Sequence, residues 1–438
     1  MLSTTRIVLH RLMQARQSTK LLQSARWYGE FNVNLPLAQP SVDMNMGIPV
    51  KGEKILATYV WIDGTGENMR EKTRTLKKDP GGVQNYPRWS FDGSSTYQAS
   101  KGENSDMILV PAAIYPDPFF GGNHKLVLCE VLDAQGQPAA TNHRHKCKEV
   151  MDKIDHTVPW FGMEQEYLFL DRDGHPLGWP KFGFPKPQGP YYCAVGGDRI
   201  FGREIVNTHY RASLYAGLAL FGINSEVTPG QWEYQLGECR GIEMGDQLWM
   251  SRYLLHRVAE QFGVTVTFHP KPAITRGNWN GAGAHCNFST EEMRSEGGIK
   301  AIEAAMPKLE ATHKECIRVY DPHDGEDNKY RLTGKHETSS YDKFNWGVAN
   351  RAASVRLPRS VALNKKGYLE DRRPSSNCDP YQVTRMIAES LQYVYKHHSG
   401  VLNSEKFGAY VPDHKEGVRL PVLSFRCGCS VLVRQCEA

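Results

Sequence analysis

One stretch constrains this chain more than any other: Trp160-Phe161-Gly162-Met163-Glu164-Gln165-Glu166-Tyr167-Leu168-Phe169. Aromatic and apolar residues dominate it, and Asp171-Arg172-Asp173-Gly174 supplies a turn after it, so the pattern predicts a buried strand. Alternate side chains of a strand point to the same side. Glu164 and Glu166 therefore project together, roughly 7 Å apart at about 3.3 Å per residue. Two carboxylates side by side in an apolar strand are costly unless a cation or a basic group neutralises them. On this stretch alone two readings stand: salt-bridged edge carboxylates, or a carboxylate wall that holds divalent metal.

The rest of the chain bears on that choice. Glu226, Glu233 and Glu370 also fall in segments with strand character, and His285 sits in the small-residue segment 281–289. Oxygen-rich sites with one imidazole suit Mg²⁺ or Mn²⁺, whereas zinc leans to Cys and His. Two such ions close together would clamp a phosphate and neutralise its developing charge. Taken singly, each acid reads more simply as a solvated or paired carboxylate. Taken together, strand interiors are poor places for five unneutralised glutamates. Arg331, Arg351, Arg356 and Arg372 lie in polar, Gly/Ser-containing segments rather than on helix faces, and 350–356 has a strand-like spacing that places two arginines near one site. Guanidinium groups grip carboxylates and phosphates bidentately; the bland alternative is a basic surface strand. The run Asn280-Gly281-Ala282-Gly283 lets backbone approach a ligand closely, but it is neither a Walker A loop nor a Rossmann fingerprint. Acids for metal plus arginines for phosphate and carboxylate argue for ATP-dependent activation of a carboxylic acid. Spacing and chemistry reach no further than phosphoryl transfer or ligation.

Length and charge narrow the setting. At 438 residues the chain has room for two or three domains. No apolar run approaches the length that spans a bilayer. The formal charge is +5, but the first forty residues carry most of it, through Arg6, Arg11, Arg16, Lys20 and Arg26 against the single acid Glu30. No basic surface for nucleic acid is implied for the remainder. Spaced arginines among Ile7, Val8, Leu9, Leu12, Leu21 and Leu22 predict a mitochondrial transit peptide over 1–40, cleaved between Arg26 and Pro40. The ten cysteines show no paired spacing and fit free thiols in a reducing compartment.

Strands are expected at 54–63, 72–76, 106–111 and 125–132, which makes 50–137 a mostly β domain. An α/β region follows over 138–395, with a divergent tail over 396–438. Helices are expected at 143–156, 203–221, 246–262 (capped by Asp246), 299–320 and 382–395. Pro307 predicts a kink or break in the fourth. Further strands are expected at 224–227, 231–235 and 264–268, and 178–190 reads as an irregular loop with functional duties.

At these residues the sequence resembles the glutamine synthetases of the eukaryotic type, over about residues 57–386. The likeness is carried by Trp61-Ile62-Asp63-Gly64-Thr65-Gly66-Glu67, Phe91-Asp92-Gly93-Ser94-Ser95-Thr96, Asn104-Ser105-Asp106, the opening strand, Gly189-Pro190-Tyr191-Tyr192, Asn278-Trp279-Asn280-Gly281-Ala282-Gly283, Ala349-Asn350-Arg351 and Glu370-Asp371-Arg372-Arg373-Pro374. The resemblance implies an α+β fold: an N-terminal β-grasp domain, then a catalytic domain with a curved antiparallel sheet flanked by helices. It implies ligation of ammonia to the γ-carboxylate of L-glutamate with ATP, giving glutamine, ADP and phosphate through γ-glutamyl phosphate. It also implies two or more Mg²⁺ or Mn²⁺ per site and a decamer of two pentameric rings with active sites between subunits, with neither nucleic acid nor membrane insertion.

By motif, the resemblance puts one metal on Glu166, Glu226 and Glu233 and another on Glu164, His285 and Glu370. Arg351 and Arg356 match phosphate-binding arginines. Arg331 and Arg372 match those that hold glutamate or the phosphoryl group. Asn278, Trp279, Asn280 and Gly281 match the glutamate loop. Nucleotide contacts are implied for Glu164, Glu233, Tyr234, Gln235, Leu236, Gly237, Glu238, Asn287, Phe288, Ser289, Arg351, Arg356, Tyr368, Leu369 and Glu370, with Trp160 and Arg294 as further candidates. Glu337 matches the acid of a flap that closes the site. Asp92, presented to a neighbouring subunit, matches the residue that binds ammonium and takes its proton. The chain departs from the family's pattern at Glu238 and Arg240, where proline and glutamate are usual, at His269, at Pro307, in a longer 270–277 loop, and beyond about Gln392. Two other readings remain at this point: a catalytically silent relative, and a ligase that joins glutamate to a different amine.

Overall fold

The computed structural model describes residues 50–99, 104–272 and 277–398. The 1–40 segment, part of the 270–277 loop and the tail beyond residue 398 lie outside the described residues. The described cysteines are all free thiols.

The first sheet holds β1 (Ile55–Ile62), β2 (Met69–Leu76), β3 (Trp89–Asp92), β4 (Asp106–Pro116) and β5 (Lys125–Leu132), in the order β2-β1-β5-β4-β3. β1 and β5 run parallel and the other neighbours antiparallel. The apolar run of β1 is buried along almost its whole length, while β2 alternates and is half exposed. That contrast places β1 centrally and β2 at an edge. Tyr59, Trp61, Phe91, Leu109 and Val127 fill the core of this domain.

The second sheet is larger. It contains β6 (Trp160–Leu170), β7 (Leu220–Ser225), β8 (Gln231–Arg240), β9 (Thr265–Thr267), β10 (Ala284–Ser289), β11 (Trp346–Val348), β12 (Val355–Leu357) and β13 (Leu369–Asp371). The strand order is β11-β12-β13-β10-β6-β8-β7, with β9 also paired to β6. The expected opening strand is thus central, with β8 and β10 antiparallel on its two sides. The helix Glu243–Phe262 lies across the face away from the acids, and nearly all of its apolar residues are buried. Arg252 on this helix is buried, and its guanidinium donates to Gln165 Oε1 at 2.9 and 2.7 Å, Cys378 O at 2.8 Å and Ser376 O at 2.9 Å. One cation thereby ties helix, β6 and the 376–378 segment together, with its donors satisfied as burial requires.

Several expected boundaries move. The helix from residue 203 ends at Tyr215, because Gly217 takes φ 79° and the chain turns into β7. Glu226 accordingly sits just past β7, in the turn before β8. The helix expected to start at Asp246 starts at Glu243, and the Asp246 carboxylate instead receives Arg144 at 2.8 and 2.9 Å and the Tyr381 hydroxyl at 2.6 Å. Pro307 does not break its helix, which runs Ile299–Ala311; the break falls at Thr312, before His313–Val319. The Thr312 hydroxyl bonds Lys308 O at 3.3 Å and Ser390 Oγ at 2.7 Å, which holds the junction in place.

The first domain is fastened to the second through the β1–β2 connection. Glu67 meets Asn377 Nδ2 at 3.0 Å, and the same amide donates to Asp327 at 2.9 Å. His323 lies between the two acids, with Nδ1 2.7 Å from Asp327 Oδ2 and Nε2 3.7 Å from Glu67 Oε2. Both ring nitrogens face carboxylates, and only the charged imidazole donates from both. The Asp327 hydrogen bond accordingly raises the His323 pKa above its ordinary value. The bridge strengthens folding below the unfolded value of about 6.5 and is lost as pH rises through the higher folded value. The side chain is 55 % exposed, which limits the effect to at most about 1 kcal/mol. His323→Asn should therefore lower the melting temperature at about pH 6 and leave it unchanged at about pH 9; calorimetry showing the same deficit at both would refute the charged bridge.

Candidate active site

Sheet register builds the site. On β6, Glu164 stands opposite His285 of β10 and Glu166 opposite Glu233 of β8. Directly opposed residues share a face. The same face carries Asn287, Glu370, Arg372 and Arg356, because β10 pairs Asn287 with Glu370 and β12 pairs Arg356 with Glu370. The opposite face carries Met163, Gln165, Tyr167, Tyr234, Leu236, Cys286, Phe288 and Leu369, all buried. The period-two alternation thus sorts one sheet into a polar face and a core face.

Two groups converge on the polar face. Glu166, Glu226 and Glu233 bring carboxylate oxygens within 4.8 Å of one another, as do the ligand atoms of Glu164, His285 and Glu370. In the first group, Glu166 Oε2 accepts from Gly283 N at 2.7 Å and Gln231 Nε2 at 3.2 Å, Glu226 accepts from Asn224 at 2.8 Å, and Glu233 accepts from Gln235. Among the described residues none of these three acids has an ion pair. Burial raises all three pKa values and each acid's neighbours raise them further, Glu226 to about 8, although Arg331 opposes the rise at Glu166. Like charges crowded in a buried site behave this way until a cation arrives. A donor set of carboxylate oxygens fits a hard divalent ion.

The second group is partly neutralised by protein. Glu370 receives Arg356 and Arg372, each at 2.7 Å. His285 Nδ1 is 3.3 Å from Glu164 Oε2 and 3.7 Å from Glu370 Oε1, and Arg331 Nη2 faces its Nε2 at 3.2 Å. Burial and then Arg372 hold its pKa well below the ordinary value, so the ring is neutral; Nε2 accepts from Arg331, and the one proton sits on Nδ1, where a cation would displace it. Arg356 Nε is buried and has no partner among the described residues, a donor left over for an anion.

The chain matches the family model described as the glutamine synthetase catalytic domain over residues 142–303, and that of the glutamine synthetase beta-Grasp domain over residues 53–134. It is 66 % identical over 363 residues to a probable glutamine synthetase of Caenorhabditis elegans, covering 83 % of this chain and 99 % of the relative. It is 59 % identical over 342 residues to the glutamine synthetases of Canis lupus familiaris and Homo sapiens, covering 78 % of this chain and 91 % of each relative. The chain belongs to the glutamine synthetase family. As a glutamine synthetase it makes glutamine from glutamate, ammonia and ATP, and its two acid clusters suit the divalent cations that this chemistry uses.

The remaining expected residues fall into place unevenly. Arg372 is buried; its Nε reaches Arg351 O at 3.1 Å and its Nη2 reaches Glu337 O at 3.3 Å. Arg331 is buried beneath His285 and donates to the Arg372 and Arg373 carbonyls at 2.9 and 3.2 Å. Arg351 lies in an exposed turn: residues 350–354 are not a strand, and only Val355–Leu357 pairs. Gly283 is required where it stands, since a side chain there would meet Arg331 Nη2 at 2.4 Å. Trp279 packs on Trp179 with ring centroids 4.9 Å apart, which anchors the 278–281 loop.

In the expected nucleotide segment, the side chains of Tyr234, Leu236, Phe288 and Leu369 point into the core, so these positions offer a ligand only their backbone. Gln235, Asn287 and Tyr368 face the polar side. Asn287 Nδ2 donates to Glu164 Oε1 at 3.1 Å, and its buried Oδ1 has no partner among the described residues. Arg294 lies 3.8 Å above the Trp160 ring and donates to Ser289 Oγ at 2.9 Å. The departure at Arg240 has a local explanation: it pairs with Asp155 at 2.8 and 3.0 Å. Glu238 is exposed.

Asp92 closes β3 and caps the following turn. Its oxygens accept from Ser94 N at 3.0 Å, Ser94 Oγ at 2.7 Å and Ser95 Oγ at 3.0 Å. These hydrogen bonds hold its pKa at about 2. Such a carboxylate is a permanent anion, suited to bind a cation and poor as a proton acceptor. Sequence reasoning missed Gln231, Gln188 and Asn224, the amides that orient the acids and the 278–281 loop. Their one signal is polarity at the ends of apolar strands or inside an irregular loop.

Because the first cluster holds protons near neutral pH, cation entry must expel them. Calorimetric titration of the chelator-treated chain with Mg²⁺ or Mn²⁺ at about pH 7 should show heats that vary with buffer ionisation enthalpy, and less so at about pH 9, above the Glu226 value of about 8. Buffer-independent heats would contradict the protonated cluster.

Proposed function

We propose that the two clusters divide the reaction, with Glu166, Glu226 and Glu233 beside glutamate and Glu164, His285 and Glu370 beside the nucleotide phosphates. The observation that carries this division is the pairing of Arg356 and Arg372 with Glu370 at 2.7 Å each, whereas among the described residues Glu166, Glu226 and Glu233 have no ion pair. The glutamate γ-carboxylate then attacks the γ-phosphate of ATP to form γ-glutamyl phosphate. Divalent ions, held by the six ligand residues, would supply charge neutralisation for the phosphoryl group. Arg356 and Arg372 orient that group and stabilise its charge. Arg331 holds the Arg372 backbone and the Glu166 side of the site. Asn278, Trp279, Asn280 and Gly281 frame the glutamate.

Asp92 binds ammonium as a fixed anion from the β-grasp domain of a neighbouring subunit. With its pKa at about 2, its part is to gather and orient the cation; the ammonium proton passes to solvent, and the ammonia so formed attacks the acyl carbon and displaces phosphate, which takes up the second proton. Glu337 closes the flap and keeps water away from that intermediate. An assembly of two pentameric rings supplies the neighbour that Asp92 needs; a mass of ten subunits by light scattering tests it.

The defining assay is Mg²⁺- and ATP-dependent glutamine formation from glutamate and ammonia by the purified chain. Turnover only with an organic amine, or none, would refute the reading. Glu164→Gln and Glu166→Gln should both lose at least about a hundred-fold in kcat. The first should raise the KM for ATP and the second the KM for glutamate; identical defects would refute the division. The acid-free N-terminus supports import into the mitochondrial matrix as a proposal. Residues 1–40 fused to a fluorescent reporter should deliver it there, and a wholly cytosolic reporter would refute import.

A further inference from the structure

The flap carries a feature that neither the acids nor the arginines explain. His336 and Glu337 both adopt left-handed backbone conformations, with φ of 53° and 60°. Residues other than glycine seldom do so, and they persist there only when the surroundings over-determine them. Glu337 is held through its carbonyl by Arg372, and Thr338 Oγ1 donates to Arg331 O at 3.0 Å. The third restraint is the His336 ring, which stands between two loops. Its Nε2 is 2.9 Å from Asn278 Oδ1, and its Nδ1 is 3.0 Å from Gln188 Nε2.

The direction of every bond in this chain follows from one backbone amide. Asn280 N–H donates to Gln188 Oε1 at 2.9 Å. A backbone N–H can only donate, so the Gln188 oxygen sits at that end and its NH₂ faces the imidazole. His336 Nδ1 must then accept. The ring proton resides on Nε2, which donates to Asn278 Oδ1. A second proton, on Nδ1, would set two donors against each other across 3.0 Å. The charged groups facing the ring are Lys271, from the loop before the glutamate segment, and Lys335, from the flap itself. Burial and both cations oppose protonation.

We propose that His336 is a positioning residue, a neutral imidazole in a one-way hydrogen-bond relay that fixes the Glu337 flap to the glutamate loop and to the 178–190 loop. Acid breaks the relay, and the flap then loosens over a site that must exclude water. This inference rests on the proposed role of Glu337 in shielding the acyl phosphate. It deepens that role by naming what holds the shield and what releases it.

The test is the ratio of glutamine formed to phosphate released, measured on the full chain between about pH 5 and pH 8. The wild type should stay coupled near neutrality and lose coupling on acidification. His336→Ala should cut the ratio about ten-fold near neutral pH, what two ordinary hydrogen bonds are worth together. Gln188→Glu provides the discriminating variant. A carboxylate there still accepts from Asn280 N–H, but its second oxygen accepts from imidazolium. Coupling should then persist at acid pH, the reverse of the wild type. An unchanged ratio in His336→Ala, or a wild-type profile in Gln188→Glu, overturns the relay. If His336→Ala does not fold, the Gln188→Glu profile decides alone. A wild-type chain that makes no glutamine at any pH overturns the functional reading itself, whereas coupled synthesis indifferent to both variants overturns only the relay.

Discussion

The register of β6 between β8 and β10 is the constraint on which the site depends. It sets Glu164 against His285 and Glu166 against Glu233. A slip of β6 by one residue would send Glu164 and Glu166 into the core and bring Met163, Gln165 and Tyr167 out. The energetic cost of that slip is large on both faces, since it would bury unpaired charge and expose apolar surface. The same pattern that forces the acids together therefore protects their arrangement. What it cannot do is supply their counter-charge, and the first cluster holds protons until a hard cation displaces them.

Below the sheet, buried charge is handled differently. Arg373 and Asp371 are both fully buried and bond each other at 2.7 Å, with further bonds at 2.9 and 3.0 Å. Among the described residues Arg252 has no carboxylate partner; it is satisfied by an amide and two carbonyls. Such groups add little net stability over an apolar core, but removing one partner strands the other. Here they lock the 371–378 segment, and with it Arg372, against β6 and the central helix. The polar face is thus positioned by a second polar network on the reverse side of the same strands.

The proposed chemistry needs parts that the rigid sheet does not supply. Asp92 is presented on the other domain, its charge fixed by three hydroxyl and amide donors of its own turn. The proposed flap is a short connection whose left-handed residues are held by Arg331, Arg372 and the amides of two loops. Rigid ligands for cations and a releasable cover for the reaction answer opposite physical demands: electrostatic stabilisation needs preorganisation, while substrate entry needs an opening.

The sequence by itself determined a good deal. The alternation in 160–169 was sufficient to place Glu164 and Glu166 on one face, and acids in neighbouring strand segments were sufficient to suggest a hard-metal site. The motifs resolved the acids into two sets, and those sets are the ones that converge. Local pattern failed where a nonlocal partner overrides propensity. Asp246 looked like a cap and serves Arg144 and Tyr381, Pro307 looked like a break and sits within an unbroken helix, and 350–354 looked like a strand and is a turn. Only the tertiary structure decided which nucleotide-segment side chains face the core, which amides orient the acids, and why Asp92 is a stronger anion than base. Strand periodicity is written in adjacent residues, whereas hydrogen-bond direction, burial and pKa depend on groups that the fold brings in from a hundred residues away.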